Sequence, residues 1–147
     1  MPGRRIAISF AVAAAAVAAP VPLAGESHTA SVASCKRQQS SIYVTLDESR
    51  YPQTTDHWQD AVRAGRPSLL HIDRPEEDAN RRAALAAHPP RSGYDRDEYP
   101  PAVSDEGGRG ASVRYISPSD NRGAGATMGN QIEGWCNGQP FRVRYVP

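Results

Sequence analysis

The chain has 147 residues, of which 17 are basic and 16 are acidic, so its formal net charge at pH 7 is +1. A nearly neutral chain lacks the broad positive surface that attracts nucleic acid through counterion release, so any nucleic-acid activity must come from a local site. The length suits one domain with one modest core.

The amino terminus has the order of a secretory signal. Two arginines precede an apolar run at residues 6–19, and small residues follow it. The run is shorter than the about 20 apolar residues that cross a bilayer, so we expect cleavage within 24–34 rather than an uncleaved anchor. We therefore predict that residues 1–34 are a signal peptide with a disordered segment. Residues 35–147 are predicted to form a single secreted, extracellular domain with no membrane contact in the mature form.

Two cysteines, Cys35 and Cys136, remain after the predicted cleavage. An oxidising compartment permits them to pair. A bridge would close a loop of about 100 residues, which the chain-entropy model values at about 4 to 5 kcal/mol. The alternative is a free thiol near each end, and neither cysteine has the spacing of a metal ligand. We expect the disulfide.

Hydrophobic periodicity predicts alternating short strands and helices in the first part of the chain. The predicted elements are a strand at 42–46, a helix at 55–64 capped by Thr55, a buried strand at 68–73 and a surface helix at 75–87. Trp58 in the first helix and Trp135 near the end of the chain are both expected to be core anchors rather than base-stacking platforms.

The segment GYDRDEYPPA, residues 93–102, comes next and places three carboxylates, Asp95, Asp97 and Glu98, within four positions. Carboxylates this close repel one another unless they are solvated, paired with a cation or wrapped around a divalent metal. We interpret the segment as an acidic turn. Most charge runs are simply solvated, so a solvated turn is the alternative to a metal site.

Three further elements complete the chain. They are a strand at 111–117, a helix at 124–135 capped by Ser119 or Asp120, and a closing strand at 141–146 with its arginines on one face. Solvent exposure alone would explain those arginines as well as phosphate contact does. The whole pattern predicts an α+β fold: a small single domain with a mixed β-sheet and flanking helices.

Several segments together resemble the NucA/NucB family of small secreted bacterial deoxyribonucleases. They are GYDRDEYPPA, EGGRGASVRYISPSDNRGAG and GNQI, with SLLHIDR and ANRRAAL also similar. The resemblance covers residues from about 42 to the end. It implies a metal-dependent, sequence-nonspecific endodeoxyribonuclease that degrades DNA. It also implies a ββα-metal-like hairpin plus helix, with a base near the first strand and a metal-binding asparagine on the helix.

The residue chemistry agrees with that implication. Phosphodiester hydrolysis needs a group that activates water and groups that hold and neutralise the phosphate. Because no histidine lies in the segment, we expect a carboxylate as the base, with Asp97 ranked first and Glu98 second. Arg96, Arg114 and Arg122 are the candidate phosphate clamps, and Arg96 and Arg122 are the two that we expect to position the phosphate.

Hard oxygen ligands suit magnesium, manganese or calcium. The candidate metal ligands are Asp95, Glu106, Asn121 and Asn130. If the helical register extends back to Asn121, that residue lies about 20° from the apolar Met128 and faces the packed elements. Asn130 falls on the opposite side and ranks lower.

Two other functions stay open from the sequence. One is a non-catalytic, calcium-stabilised secreted binding module, and the other is a glycosidase that uses a pair of carboxylates. The glycosidase is disfavoured because only 7% of the residues are aromatic, which is few for a sugar-binding groove. For the nuclease we expect DNA as substrate and a monomer; a protein inhibitor is a further partner that the sequence leaves open.

Overall fold

The computed structural model describes residues 34–147, so the predicted signal peptide lies outside the described residues. The elements in chain order are β1 (Ile42–Asp47), α1 (Pro52–Arg63), β2 (Leu70–His71), α2 (Glu77–Leu85), β3 (Asp95–Tyr99), β4 (Ser112–Ile116), α3 (Pro118–Ile132) and β5 (Pro140–Val146). No helix in this part of the chain is long and apolar enough to cross a membrane. The predicted α+β class is confirmed.

The strands form two small sheets rather than a single mixed one. The first has the order β1-β5-β2, with β5 parallel to β1 and antiparallel to β2. The second is the antiparallel hairpin of β3 and β4. Only Ser117 separates β4 from α3. The buried strand predicted at 68–73 is reduced to two residues that pair with β5, Leu70 and His71; Ser68 and Leu69 are exposed, and Ile72 makes only an isolated bridge.

One face of the three-stranded sheet forms the floor of the core. Val44 and Leu46 of β1 and Phe141 of β5 are fully buried, and they pack in one cluster with Trp58 of α1 and Met128 of α3. The alternation of buried and outward residues along β1 is what a sheet with one packed face requires. Trp58 is a core anchor as predicted, whereas Trp135 is only partly buried.

Helix α1 begins three residues earlier than predicted, at Pro52. Proline is favoured at this first helical position because it has no N–H to leave unpaired. The prediction that Thr55 caps the helix is wrong, since its hydroxyl donates to the Tyr51 carbonyl at 2.8 Å. The cap comes from another element instead: Asp120 of α3 accepts hydrogen bonds from the Gln53 and Thr54 N–H groups, both at 2.9 Å.

Helix α3 also begins earlier than predicted, at Pro118 rather than at residue 124. Its N-cap is Ser117, whose hydroxyl accepts from the Asp120 N–H, so the prediction of Ser119 or Asp120 as the cap is wrong. The Gln53 side chain in turn accepts from the Ser117 N–H at 3.0 Å. The first turns of α1 and α3 therefore cap each other, which fixes the start of α3 against α1.

Close packing against Tyr51 leaves no room for a side chain at Gly123, in the first half of α3. A Cβ placed on Gly123 would lie 2.5 Å from Cε1 of the Tyr51 ring. The Tyr51 hydroxyl is 2.8 Å from Thr127 Oγ1, which keeps the ring against the helix. The glycine lets the ring and the helix approach each other.

We expect Gly123→Ala to lower the free energy of unfolding by about 1 to 3 kcal/mol, because the added methyl group overpacks this contact. The matched control is Gly129→Ala in the same helix, where an added Cβ meets nothing within 4 Å. The control should raise the free energy of unfolding by up to about 1 kcal/mol through helix propensity. Urea denaturation of both variants measures the difference. Equal effects of the two changes would show that the Tyr51 contact is not tight.

The predicted disulfide is present between Cys35 and Cys136, whose Cα atoms lie 5.0 Å apart. Next to it, Lys36 pairs with Trp135 as an isolated β-bridge. The disulfide and this β-bridge together connect the start of the described chain to the loop that follows α3.

Candidate functional site

A cleft of about 430 Å³ lies between α1, α2, the β3–β4 hairpin and α3. It contains all three carboxylates of the acidic segment. Its walls are formed by Thr54, Trp58, Glu77, Arg81, Asp95, Arg96, Asp97, Glu98, Pro101, Ala102, Val103, Asn121, Arg122, Gly125, Ala126 and Met128. Six of the eight site residues predicted from the sequence therefore meet in one place.

The acidic segment is a strand, so its interpretation as a turn is wrong. Asp95 to Tyr99 pair in register with Ile116 to Ser112 of β4. Successive side chains of a strand point to opposite sides. Asp95 and Asp97 therefore lie on one side of β3 and Glu98 on the other, and each carboxylate has a different neighbour: Arg122, His57 and Arg81 respectively.

Asp97 is held by two side chains of α1. Its Oδ2 lies 2.6 Å from His57 Nδ1, and its Oδ1 accepts a hydrogen bond from Trp58 Nε1 at 3.1 Å. The side chain is 4% exposed. Burial raises the pKa of Asp97, while the hydrogen bond from His57 acts in the opposite direction. Because both oxygens have partners, Asp97 braces the hairpin against α1.

The brace continues from His57 to β4. His57 Nε2 lies 2.9 Å from the Ser112 hydroxyl, so serine, histidine and aspartate are connected as in a hydrolase triad. His57 is only 1% exposed, however, and neither it nor Ser112 lines the cleft. A substrate in the cleft would not meet this serine. We interpret the chain of hydrogen bonds as structural.

Glu98 has a different environment from Asp97. Its Oε1 is buried and has no hydrogen-bond partner within residues 34–147, and its Oε2 lies 3.9 Å from Arg81 Nη1. Burial raises the pKa of Glu98 to about 7, although the Arg81 charge opposes the rise. An unpaired carboxylate oxygen in a cleft, with a pKa near neutrality, suits a group that accepts a proton at physiological pH.

Asp95, Asn121 and Arg122 meet on the other side of the cleft. Arg122 donates from Nε and Nη2 to the two oxygens of Asp95, at 2.7 and 3.0 Å, and Asn121 Nδ2 lies 3.5 Å from Asp95 Oδ2. The bidentate arginine holds the pKa of Asp95 below its ordinary value. Asp95 is therefore ionised at neutral pH and offers a charged oxygen to the cleft.

Comparison with known proteins shows the family to which this sequence is similar. The model of the family described as Deoxyribonuclease NucA/NucB matches residues 58–144. The chain belongs to the NucA/NucB family. It is also 42% identical over 106 residues to the DNA-entry nuclease of Bacillus subtilis (strain 168). The aligned region covers 70% of this chain and 72% of that protein. The resemblance seen in the sequence is confirmed. The match to the NucA/NucB model includes β3, α3 and every cleft residue except Thr54.

Two of the residues predicted as metal ligands lie outside the cleft of this NucA/NucB protein. Glu106 Oε1 lies 2.6 Å from His71 Nδ1, and its Oε2 accepts from the His71 backbone N–H. Asn130 is exposed on α3. The structure does not bring either residue to Asp95 or Asn121, so we leave both out of the candidate site.

The two predicted phosphate clamps line the cleft and keep free donors. Arg96 uses Nη1 to bind the His88 carbonyl at 2.7 Å, and Arg122 uses only Nε and Nη2 on Asp95. A guanidinium has five N–H groups, so each side chain can still donate to a phosphate. Arg114 lies elsewhere, paired with Asp56 and Asp60.

The cleft offers donors of the kind that a hard divalent cation prefers. Within residues 34–147, no group of three histidine, cysteine, aspartate or glutamate side chains is close enough to hold a metal. Magnesium, however, usually keeps several waters and uses only one or two protein carboxylates plus substrate phosphate oxygens. The Asp95 carboxylate and the Asn121 amide fit that smaller set.

Sequence reasoning missed two contributions to this site. His57 was not connected with Asp97, although it lies four residues before the buried Ala61, on the packed face of α1. A buried histidine needs a hydrogen-bond partner, and that requirement could have indicated an acidic neighbour. Arg81, the cation nearest to Glu98, was predicted only as part of a surface helix. No signal within α2 indicates that it faces the cleft.

Proposed function

We propose that the protein is an exported, metal-dependent endonuclease that hydrolyses phosphodiester bonds of DNA without sequence preference. The observation that carries the proposal is Glu98, a buried carboxylate with an unpaired oxygen in the same cleft as Asp95, Asn121 and Arg122. The NucA/NucB match and the DNA-entry nuclease relative support DNA as the substrate.

Glu98 is the proposed general base, and it removes a proton from the attacking water. We prefer it to Asp97, which the sequence ranked first, because both oxygens of Asp97 are engaged by His57 and Trp58. Hydrogen bonds donated to a carboxylate stabilise its charged form and make it a weaker proton acceptor, whereas Glu98 Oε1 has no such bond from a described residue. Asp97 instead keeps β3, and therefore Glu98, in position.

Asp95 and Asn121 are the proposed metal ligands. They would hold a magnesium, manganese or calcium ion, which supplies Lewis-acid stabilisation of the phosphate charge when bound. Arg122 orients the Asp95 carboxylate through its two hydrogen bonds. The free N–H groups of Arg122 and Arg96 bind the scissile phosphate and reduce its negative charge.

The lack of sequence preference follows from what these groups recognise. Carboxylates, guanidiniums and a cation bind the phosphate, and phosphate contacts carry no sequence information by themselves. Export is supported by the Cys35–Cys136 disulfide, since such bonds persist in oxidising compartments. The signal-like amino terminus supports the same compartment.

Supercoiled plasmid tests the proposal, because a closed circle has no ends for an exonuclease. Purified protein with magnesium or manganese should convert the plasmid to nicked, then linear, then short products, and EDTA should abolish the conversion. Cleavage that persists in EDTA would contradict metal dependence. A chelator that lowers the melting temperature of a protein without plasmid cleavage would indicate the calcium-stabilised binding module instead.

A further inference from the structure

The face of the three-stranded sheet that points away from the core carries an aromatic ring and two arginines. Tyr43 is the register partner of Arg142, and Thr45 is the partner of Arg144. Partners in neighbouring strands share a face, and this face is opposite to that of the core residues Val44 and Phe141. The Arg144 guanidinium lies 4.1 Å from the centre of the Tyr43 ring, which is nevertheless 53% exposed.

The charges on this face are not neutralised by neighbours. Neither Arg142 nor Arg144 forms a salt bridge with a described residue, and Arg142 donates only to the Ser68 hydroxyl at 2.9 Å. The outward carboxylate of β1, Asp47, is occupied by the Ser49 and Arg50 N–H groups. The face therefore presents two free cations beside an exposed ring.

We propose that Tyr43, Arg142 and Arg144 form a platform that binds single-stranded nucleic acid. Bases stack on exposed aromatic rings and on guanidinium planes, and arginines bind the phosphates between them. The flat face of a base is accessible only when the base is unpaired, which favours a single strand over a duplex. The choice of nucleic acid as the occupant rests on the proposed function.

The platform is separate from the cleft. Val44 points through the opposite side of the sheet into the core cluster that contains Trp58 and Met128, and these two residues line the cleft. The core therefore lies between the two surfaces. A strand on the platform is a segment other than the phosphodiester in the cleft, so the platform would retain substrate or product while the cleft acts on another part of the polymer.

Binding can be measured without cleavage, using full-length Glu98→Gln protein in EDTA and a fluorescent single-stranded oligonucleotide of about 16 nucleotides. Adding Tyr43→Ala should weaken binding about 5- to 150-fold, the measured range for one lost stacking contact, without changing the salt dependence. Tyr43→Phe keeps the ring and should retain affinity. A duplex of the same length should bind without dependence on Tyr43.

The arginines have their own readout. Arg142→Gln with Arg144→Gln should lower the slope of log K against log salt by about 1.4, which is about 0.7 for each lost phosphate contact on a single strand. The matched control is Arg82→Gln with Arg109→Gln, which removes the same charge from exposed arginines elsewhere. The control should leave the slope unchanged.

Two results would overturn the platform. One is an equal loss of affinity in the two double variants, which would indicate a general charge effect. The other is that Tyr43→Ala binds the single-stranded oligonucleotide as tightly as the protein with Tyr43. If polyglutamate then displaces the oligonucleotide, the partner of this face would be an acidic polypeptide. If the protein does not cleave plasmid but its binding of the oligonucleotide still depends on Tyr43, the nuclease proposal is rejected and the platform is retained. If it cleaves plasmid but its binding does not depend on Tyr43, the platform is rejected and the nuclease proposal is retained.

Discussion

Glu98→Gln is expected to lower kcat for plasmid cleavage by about 10²- to 10⁴-fold, because an amide cannot accept the proton of the attacking water. The fold should be retained, since glutamine has the shape of glutamate and removes a buried carboxylate that lacks a partner for Oε1. Single-turnover cleavage rates and melting temperatures of the two proteins provide the measurement.

Glu77→Gln is the matched control for this change. Glu77 also lines the cleft, but it is 39% exposed and pairs with Arg81, so its loss should alter the rate only a few-fold. Asp97→Asn distinguishes the two candidate bases. If Glu98→Gln kept full activity while Asp97→Asn lost it without unfolding, the base would be Asp97, as the sequence had suggested.

The pH dependence of kcat/KM gives a second readout of the same residue. A base works only when deprotonated, and burial places the pKa of Glu98 at about 7, above the ordinary value for glutamate of 4.5. Activity should therefore fall as the pH falls below about 7, by up to tenfold per unit, rather than only near the pKa of an exposed carboxylate. The fall should be absent from the residual activity of Glu98→Gln.

Removing the disulfide by Cys35→Ala with Cys136→Ala is expected to lower the free energy of unfolding by about 4 to 5 kcal/mol. The bridge joins residues 101 positions apart, so its loss frees a large loop in the unfolded chain. Domains of this size are typically stable by only about 5 to 15 kcal/mol, so much of the stability would be lost.

Urea denaturation of the oxidised protein and of the double alanine variant measures this effect. A reductant should destabilise the native protein to the level of the variant and leave the variant unchanged. A loss of less than about 1 kcal/mol would contradict the entropic account, and would mean that the unfolded chain is already restricted without the bridge.

The sequence by itself determined the elements whose signals are local. The alternation in β1 and β5 predicted both strands nearly to the residue, because a sheet with one packed face imposes a period of two. The family was evident from the same chain, since the acidic segment and the SPSDNRGAG segment are long and chemically unusual. The pairing of the two cysteines followed from the predicted compartment.

Only the tertiary structure decided the helix starts and the roles of the carboxylates. The first turn of α1 is capped by Asp120, a residue 66 positions from Thr54 in the chain, so no local signal could indicate it. The acidic segment is extended because β4 supplies its hydrogen-bond partners. Asp97 and Glu98 are adjacent and chemically alike, yet α1 binds both oxygens of Asp97 and leaves one oxygen of Glu98 unpaired. Burial and partners distinguish the two carboxylates, and both depend on segments that the fold brings together from distant parts of the chain.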